Sequence, residues 1–245
     1  MSNNVKLCKT YEAMSRAAAD ILYETVVRNP RAAIVLATGH SPRLAYRYFV
    51  QRVLENKTDV RYVTFIKLDE WLGLDDTDPA TCEYFLREEV LRPLQIAPAQ
   101  YLHFDAQAAD ALAECRRVEA AYAALKQIDL VVLGIGMNGH LGLNEPGESL
   151  IGTVHVIALD EKTKTHEMLT HTKKTVSYGV TLGMENLFRG KRILLLADGA
   201  QKEAALSAYL DNRITTRVPV SLLKLHPDCT CVINQESFGD LQKWL

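Results

Sequence analysis

The amino-acid sequence predicts an α/β protein of three layers, with helices on both faces of a mostly parallel sheet. Short apolar runs rich in β-branched residues alternate with longer amphipathic stretches along the whole chain. Most of these runs are apolar at nearly every position, which is typical of strands that are covered on both faces. Because strand and helix patterns alternate, the sequence favours parallel strands joined by helical crossovers, as in a Rossmann-like sheet.

The apolar runs that are predicted to be strands are all short. In chain order they are Ala32 to Ala37, Tyr62 to Leu68, Ile128 to Leu133, Val154 to Leu159, Arg192 to Ala197 and Thr230 to Asn234. The amphipathic stretches predict helices near Glu12 to Val27, Pro42 to Glu55, Cys82 to Leu91, Asp110 to Lys126 and Ala200 to Leu210. No repeat, low-complexity segment or linker interrupts the pattern, so we expect one domain over residues 1–245.

Composition and charge exclude several classes of partner. The chain has 28 basic and 30 acidic residues, a net charge of −2, and the two signs are mixed along its length. A nucleic-acid-binding surface needs concentrated basic charge, so we expect no nucleic-acid partner. No segment approaches a transmembrane run, and Met1 to Thr10 lacks the apolar core of a signal peptide, so we expect no membrane partner.

The five cysteines are scattered and form no C-x-x-C pair, which argues against a disulfide framework and a zinc site. Free cysteines are commonly buried as small apolar side chains, so we expect reduced thiols, a cytoplasmic setting and no bound metal. The pattern favours neither a monomer nor a homo-oligomer.

Ligands of such folds bind beyond the carboxyl ends of the strands, so the loops after the predicted strands are candidate sites. The first loop contains Thr38, Gly39, His40 and Ser41 and opens a helix. Gly39 permits close approach of the backbone, and free amides at a helix start, aided by two hydroxyl groups, suit a phosphate. A plain helix-capping turn explains the same residues equally well.

Two other loops carry charged side chains. Asp69 and Glu70 follow the second predicted strand, where a shielded carboxylate can act as a general base and where a solvated acidic turn is the simpler interpretation. Lys202 stands between a strand and a helix, where its ammonium group either binds a phosphate as a point charge or stays solvated.

The most informative signal is a glycine-rich loop after the third predicted strand, from Gly134 to Gly147. Its five glycines let backbone amides, such as that of Gly136, reach a ligand, and they give His140 and Glu145 a shared platform. An imidazole paired with a carboxylate can move a proton, because the carboxylate fixes the ring tautomer. The hydrolase motifs G-x-S-x-G and H-E-x-x-H are both absent from the sequence.

Together these loops resemble the glucosamine-6-phosphate deaminase family, which also contains galactosamine-6-phosphate isomerases/deaminases. The resemblance runs in register over nearly the whole chain, and its most specific element is N-G-H followed by N-E-P-G in the glycine-rich loop. The other matching stretches are Leu36 to Pro42, Lys67 to Trp71, Val180 to Gly183, Gly199 to Lys202 and Leu223 to His226.

This resemblance implies a role for each candidate residue. Asp69 matches the base that moves a proton between C2 and C1 of the sugar through an enol-type intermediate. His140 matches the residue that assists ring opening, with Glu145 as its carboxylate partner and Asn138 beside them. The residues that match substrate- and phosphate-binding positions are Thr38, Gly39, His40, Ser41, Gly136 and Lys202. Proton abstraction beside a carbonyl needs a placed base and a stabilised oxyanion, so no cofactor is expected.

Two other functions share parts of this pattern. The related 6-phosphogluconolactonases have the glycine-rich loop and a D-G-H sequence but typically lack the glutamate that matches Glu145. A sugar-phosphate sensor that regulates transcription would carry a helix-turn-helix, for which the short N-terminal lead leaves little room. The expected activity is therefore conversion of a hexosamine 6-phosphate to a ketose 6-phosphate and ammonia.

The sequence departs from the family pattern at two places in the site. Asn138 stands where some relatives have aspartate, and an asparagine can orient a histidine without taking its proton. The arginine with which well-known deaminases close on the phosphate has no counterpart here. This leaves Lys164, His166 and Lys173 as alternatives, within a lid that we expect near residues 160–180.

Three stretches resemble the galactosamine-6-phosphate branch more closely than the glucosamine-6-phosphate branch. They are Lys67 to Trp71, Gly142 to Leu150 and Thr165 to Leu169. We therefore expect galactosamine 6-phosphate, which would give tagatose 6-phosphate, to be preferred to glucosamine 6-phosphate, which would give fructose 6-phosphate. The two sugars differ in configuration only at C4.

Overall fold

The computed structural model describes residues 4–238 and residue 241. Its strands, in chain order, are β1 (Asn4–Cys8), β2 (Ala33–Leu36), β3 (Thr64–Lys67), β4 (Asp69–Trp71), β5 (Tyr101–Leu102), β6 (Leu130–Gly134), β7 (His155–Ala158), β8 (Tyr178–Thr181), β9 (Ile193–Ala197) and β10 (Cys229–Asn234). The α-helices are α1 (Tyr11–Arg28), α2 (His40–Glu55), α3 (Cys82–Leu86), α4 (Ala111–Ala124), α5 (Met184–Phe188) and α6 (Glu203–Leu210).

A seven-stranded sheet of order β1-β10-β9-β6-β2-β3-β5 forms the centre, and each neighbouring pair in it is parallel. Helices cover both faces. Alternate residues of β2 show the layering, since Ile34 and Leu36 pack in an apolar cluster with α1, α2 and α3. Ala33 and Val35 pack in a second cluster with α4, α5 and α6. The predicted three-layer α/β/α fold is confirmed.

The central strands are apolar because both faces are buried. Each residue of β9 and β10 is buried, and so are the residues of β2. Burial of each large aliphatic side chain contributes about 1.5–3 kcal/mol relative to its exposure to water. The helices add local signals: at α1, the Thr10 side chain accepts a hydrogen bond from the N–H of Ala13, and Glu12 lies in the first turn.

A separate three-stranded antiparallel sheet of order β4-β8-β7 lies beside the main sheet. The prediction that Val154 to Leu159 belongs with the mostly parallel strands is therefore wrong, although β7 does form there. Its apolar run packs against the antiparallel partner β8, which the sequence pattern did not separate as a strand. In this sheet Asp69 pairs with Thr181, so β8 fixes the backbone on which Asp69 lies.

Several element bounds also differ from the prediction. The α-helical geometry predicted for Cys82 to Leu91 ends at Leu86, and residues 87–91 continue as a π-helical turn. The segment predicted as a helix from Ala200 opens with a 3₁₀ turn at Ala200–Lys202 before α6. Strands β1, β4, β5 and β8 were not predicted, because they are short or carry polar and exposed residues.

The chain topology creates a crevice between β2 and β6. The connection after β2 leads to β3 on one side, whereas the connection after β6 leads ultimately to β9 on the other side. Ligands of open α/β sheets bind at such a reversal of strand order. The loop over Thr38–Ser41 and the glycine-rich loop therefore lie next to each other.

The five cysteines are free and buried, which confirms the prediction of packed thiols. Within the described residues, no helix combines the length and apolar character needed to cross a bilayer.

Candidate active site

A cavity of about 220 Å³ opens at the crevice between the ends of β2 and β6. The predicted site residues on its wall are Thr38, Gly39, His40, Ser41, Asp69, Gly136, Asn138, His140 and Lys202. Glu145 is not on the cavity wall but lies behind it, in contact with the wall residues His140, Asn138 and Thr163. The structure thus brings together side chains from four loops that are far apart in the sequence.

Asp69 lies at the start of β4, with only 8% of its surface exposed. Burial is the main reason that the pKa of its carboxyl rises to about 7, and the negative charge of Glu70 adds to it. His140, a hydrogen bond from Cys82 and the charge of Lys67 act in the opposite direction. A carboxyl that titrates near neutral pH suits a general base.

Glu70, the other acid predicted at this position, has a structural role. Its carboxylate accepts hydrogen bonds from the backbone N–H groups of Cys82 and Glu83, at 2.9 and 2.8 Å. Lys67, fully buried, donates to Glu70 at 2.9 Å and to Glu83 at 2.8 Å. Glu70 therefore holds the start of α3 against β4, and only Asp69 of the two acids faces the cavity.

His140 is held by groups that all meet at Glu145. Its Nδ1 lies 3.3 Å from Oε2 of Glu145. The same carboxylate accepts hydrogen bonds from Nδ2 of Asn138 at 2.9 Å and from Oγ1 of Thr163 at 2.5 Å. Burial raises the pKa of Glu145. The hydrogen bond and charge of His140, together with hydrogen bonds from Thr163 and Asn138, outweigh burial and hold this pKa below its ordinary value. An ionised Glu145 orients the ring and leaves Nε2 for a ligand.

The ring of His140 occupies the space above Gly136. A Cβ atom added at Gly136 would lie 2.3 Å from Nε2 and 2.4 Å from Cδ2 of His140. Real Cβ atoms do not approach other atoms so closely, so only glycine fits beneath this imidazole. Gly136 therefore acts on the site through the placement of His140.

The opposite end of the cavity, at the start of α2, has the features that suit an anion. Helix α2 begins at His40 with Gly39 as its N-cap, and no described side chain caps it. Lys202 donates a hydrogen bond to Oγ of Ser41 at 3.1 Å, and burial lowers the pKa of its ammonium group. Free helix N–H groups, a hydroxyl and an ammonium group at one place suit a phosphate.

His40 has a fixed orientation at this end. Its Nδ1 lies 2.9 Å from Oδ2 of Asp198, and its ring stacks on Tyr11 with centroids 4.7 Å apart. Asn234 and Ser237 donate to the other oxygen of Asp198, at 2.8 and 2.6 Å. His40 is 57% exposed and lines the cavity, so its free edge can contact a ligand.

Among the three alternatives for the missing arginine, only His166 lines the cavity. Burial, with the charge of His140 next in importance, lowers the pKa of His166 to about 4, so its imidazole is neutral. Its Nδ1 accepts a hydrogen bond from the N–H of Met168 at 3.2 Å, which leaves the proton on Nε2. A Cβ atom added at Gly39 would lie 3.6 Å from that Nε2, so the donor faces the loop over Thr38–Ser41, the candidate anion-binding loop.

The two lysine alternatives lie elsewhere. Lys164 pairs with Glu161 at 2.7 Å, and neither Lys164 nor Lys173 is on the cavity wall. Trp71, whose surroundings the sequence did not indicate, is buried with its ring centroid 5.7 Å from that of His166.

Sequence reasoning missed two residues of the site. Thr163 was noted only as part of a lid region, yet it donates to Glu145 and lies 3.3 Å from Nδ1 of His140. Cys82 was interpreted as a packed thiol, yet it lines the cavity and its Sγ lies 3.6 Å from Oδ1 of Asp69. The position of Cys82 at the start of a helix after the D-E-W stretch was the only available signal.

No group of three or more His, Cys, Asp or Glu side chains is arranged to hold a metal ion, within residues 4–238 and 241. Residues 8–232 match the family described as glucosamine-6-phosphate isomerases/6-phosphogluconolactonase. The chain belongs to this family. The glycine-rich loop and the loop over Thr38–Ser41 both lie within the matched residues.

Several relatives in this family match over nearly the whole chain. AgaI of Escherichia coli (strain K12), provisionally named a deaminase, is 40% identical over 226 residues, which are 92% of this chain and 90% of that protein. Glucosamine-6-phosphate deaminase 1 of Bacillus subtilis (strain 168) is 33% identical over 232 residues, with 94% and 96% covered.

Two solved structures have the same fold. A monomeric glucosamine-6-phosphate deaminase superposes with a TM-score of 0.91 at 33% identity, covering 96% of this chain and 98% of that one. A 6-phosphogluconolactonase from Thermotoga maritima superposes with a TM-score of 0.78 at 16% identity, covering 96% and 100%. At that identity the second likeness shows the fold alone.

Proposed function

We propose that this protein isomerises and deaminates a hexosamine 6-phosphate, and that galactosamine 6-phosphate is its preferred substrate. The products are then tagatose 6-phosphate and ammonia, with glucosamine 6-phosphate to fructose 6-phosphate as the second reaction. One observation carries the proposal: a base titrating near pH 7, Asp69, shares a single cavity with the His140–Glu145 pair and an anion site.

Ring opening is assigned to His140. Its Nδ1 is directed at the ionised Glu145, so Nε2 is the nitrogen that exchanges a proton with the ring oxygen and the C1 hydroxyl. Opening of the ring gives an aldehyde at C1. A protonated imidazole also stabilises the negative charge that develops on the C1 oxygen during proton transfer.

Proton transfer is assigned to Asp69. The carboxylate takes the proton from C2 and returns it to C1 through an enol-type intermediate, which turns C2 into an imine. Water then adds to C2, and ammonia leaves as the ketose forms. The sum is hexosamine 6-phosphate plus water to ketose 6-phosphate plus ammonia, so the reaction consumes no oxidant or reductant.

The phosphate is assigned to the start of α2. Ser41, Lys202 and the free N–H groups of that helix form the fixed part of the site. His166 adds a neutral N–H donor from residues 160–180, which we propose to be a lid because Lys162, Thr163 and Thr165 also line the cavity. Binding of the phosphate on C6 places C1 and C2 beside Asp69 and His140. Such positioning supplies much of the rate in reactions of this type.

The rival activity is hydrolysis of 6-phosphogluconolactone, which the fold alone accommodates. Glu145 favours deamination, because it is the residue that the lactonases typically lack and here it is hydrogen-bonded to three side chains of the site. A non-catalytic sensor needs no carboxylate with a pKa near neutrality, whereas the pKa of Asp69 is about 7.

The preference for galactosamine 6-phosphate rests on stretches that resemble the galactosamine branch, Lys67 to Trp71, Gly142 to Leu150 and Thr165 to Leu169. Each of these stretches contributes residues to the cavity wall, among them Asp69, Leu143 and His166. A preference between C4 epimers must come from residues near the cavity wall, so these stretches are suitably placed.

The deciding experiment is a coupled ammonia assay with galactosamine 6-phosphate, glucosamine 6-phosphate and 6-phosphogluconolactone. We expect ammonia from both amino sugars, with the higher kcat/KM for the galacto epimer, and nearly abolished release with Asp69→Asn. Lactone hydrolysis without ammonia release supports the lactonase instead. Binding of either amino sugar phosphate without any turnover supports the sensor, and a higher kcat/KM for the gluco epimer reverses the substrate preference.

A further inference from the structure

Cys82 makes a side-chain hydrogen bond to the proposed base. It is the first residue of α3 and is 1% exposed, with its N–H held by Oε1 of Glu70 at 2.9 Å. Its Sγ accepts a hydrogen bond from Oγ1 of Thr38 at 3.1 Å and donates one to Oδ1 of Asp69 at 3.6 Å. The hydroxyl, the thiol and the carboxylate form a directed chain from the anion-binding loop to the base.

The thiol in this chain is a permanent donor. Burial, reinforced by the negative charges of Glu70 and Asp69, raises the pKa of Cys82 well above its ordinary value. The sulfur therefore keeps its proton at neutral pH and is no nucleophile. Since the sulfur accepts from Thr38, its own S–H is directed at the carboxylate.

No other described side chain donates a hydrogen bond to Asp69. The titratable groups that face Asp69 from the elements around it are Glu70 on β4, Lys67 on β3, Tyr46 on α2 and His140 on the glycine-rich loop. Tyr46 donates to the carbonyl oxygen of Ala37, and Lys67 is engaged with acids behind the site. Glu70, Lys67 and His140 act on Asp69 through charge, whereas Cys82 donates a hydrogen bond to its carboxylate.

We propose that Cys82 is a positioning residue for Asp69, which holds Oδ1 so that the other carboxylate oxygen faces the C1–C2 bond of the substrate. Through Thr38 it also joins the anion-binding loop to the base, so that an anchored phosphate and an aligned carboxylate depend on one chain of hydrogen bonds. The inference rests on the proposed function, because it concerns the same proton transfer. A thiol suits this position, since its weak bond orients the carboxylate with little loss of basicity.

The first test compares Cys82→Ala with Cys82→Ser. We expect Cys82→Ala to lower kcat about ten- to a hundredfold with KM changed less than about threefold, because misplaced groups slow the chemical step. Cys82→Ser restores an O–H donor, so its kcat is expected to be at least about tenfold higher than that of Cys82→Ala. Thr38→Val, which removes the donor to the sulfur and leaves the thiol, is expected to lower kcat in the same direction by a smaller factor.

A matched control separates position from packing. Cys115→Ala truncates another buried thiol, in α4 and away from the cavity, and is expected to keep the kcat of the parent protein. Thermal unfolding of each variant reports whether it is folded. Equal losses of kcat in Cys82→Ala and Cys82→Ser, both of them folded, would overturn the proposal, since the sulfur would then only fill space.

A second readout requires no turnover. Carboxyl-¹³C-aspartate NMR follows the titration of Asp69, whose signal is identified by its loss in Asp69→Asn. Loss of a donor to the ionised form raises a carboxyl pKa, so the Asp69 titration is expected to move to higher pH in Cys82→Ala and back in Cys82→Ser. An unshifted titration in Cys82→Ala contradicts the positioning role. A shifted titration in a protein that releases no ammonia contradicts the proposed function and leaves the role of the thiol intact.

Discussion

A methyl group on Gly136 would lie 2.3 Å from Nε2 of His140, so the imidazole takes the space that any side chain at position 136 would need. The glycine-rich loop therefore does more than allow a ligand to approach. Because Gly136 has no side chain, the His140 ring can occupy the space beside it, and the Glu145 carboxylate orients that ring from the other side.

Gly136→Ala is expected to displace His140 and to lower kcat/KM about a hundredfold or more, because a catalytic group displaced by about 1 Å loses most of its effect. The matched control is Gly134→Ala, since a methyl group there contacts no atom within 4 Å. Steady-state kinetics and thermal unfolding of both variants check this. Equal activity of the two variants contradicts the steric role of Gly136.

Asp69→Asn is expected to reduce turnover about a thousandfold or more while substrate binding persists, because it removes the base and keeps the shape. In the parent protein the pKa of Asp69 is about 7, raised mainly by burial. The ionised fraction of the base grows as the pH passes through 7, so kcat/KM is expected to increase with pH over this interval. Activity that is constant from acid to neutral pH would rule out Asp69 as the base.

The same raised pKa predicts an effect of pH on stability. The native state holds the Asp69 proton more tightly than the unfolded chain, so this group lowers stability as the pH rises from its unfolded pKa of 3.8 through about 7. At pH 8, Asp69→Asn is therefore expected to be more stable than the parent, by on the order of 1–4 kcal/mol.

The control for this effect is another buried acid with a shift of the opposite sign. Although burial opposes it, hydrogen bonds from Ser237, Asn234 and His40 lower the pKa of Asp198. Asp198→Asn is therefore expected to lose stability at pH 8. Urea unfolding at pH 4.5 and pH 8 measures both variants, and a loss of stability in Asp69→Asn at pH 8 contradicts the prediction.

His166→Leu is expected to raise KM about ten- to a hundredfold with a smaller change in kcat, because a hydrogen bond to a charged phosphate is lost. His166→Gln keeps an N–H donor and is expected to lose less. The control is His171→Leu, which changes an exposed histidine of the same segment that lies off the cavity wall. Equal KM values for the His166→Leu and His171→Leu variants would remove His166 from the phosphate site.

Lys67→Met is expected to lower the free energy of unfolding by about 3–5 kcal/mol, because it leaves the buried acids Glu70 and Glu83 without their shared cation. Lys6→Met, on the exposed side of β1, serves as the control. Denaturant unfolding checks the difference. Similar midpoints for the two variants show that the buried network adds little to stability.

The sequence predicted which loops meet, and the reason is simple. Continuous apolar runs such as those of β2 and β6 indicate parallel strands, and the carboxyl ends of parallel strands lie at one edge of the sheet. Residues that directly follow such strands, such as Ser41 and His140, therefore had to lie near each other. The role of each residue came from the family resemblance, which the family match over residues 8–232 supports.

Pattern and spacing did not distinguish Asp69 from Glu70, and only the family resemblance singled out Asp69. Both follow the same strand. Their environments differ because α3 begins at Cys82, and the first N–H groups of that helix donate hydrogen bonds to Glu70. That contact joins residues 12 positions apart in the chain. Periodicity cannot reveal it, because it depends on how α3 docks against β4.

What the sequence alone determined is the layered α/β fold, the edge of the sheet that carries the site, and the set of side chains available there. Only the tertiary structure placed Asp69, and not Glu70, on the cavity wall, brought Cys82 to Asp69 and Thr163 to Glu145, and placed His166 on that wall. The first set follows from local patterns of burial, which neighbouring residues encode. The second depends on contacts between distant segments and on desolvation, both of which exist only once the chain is packed.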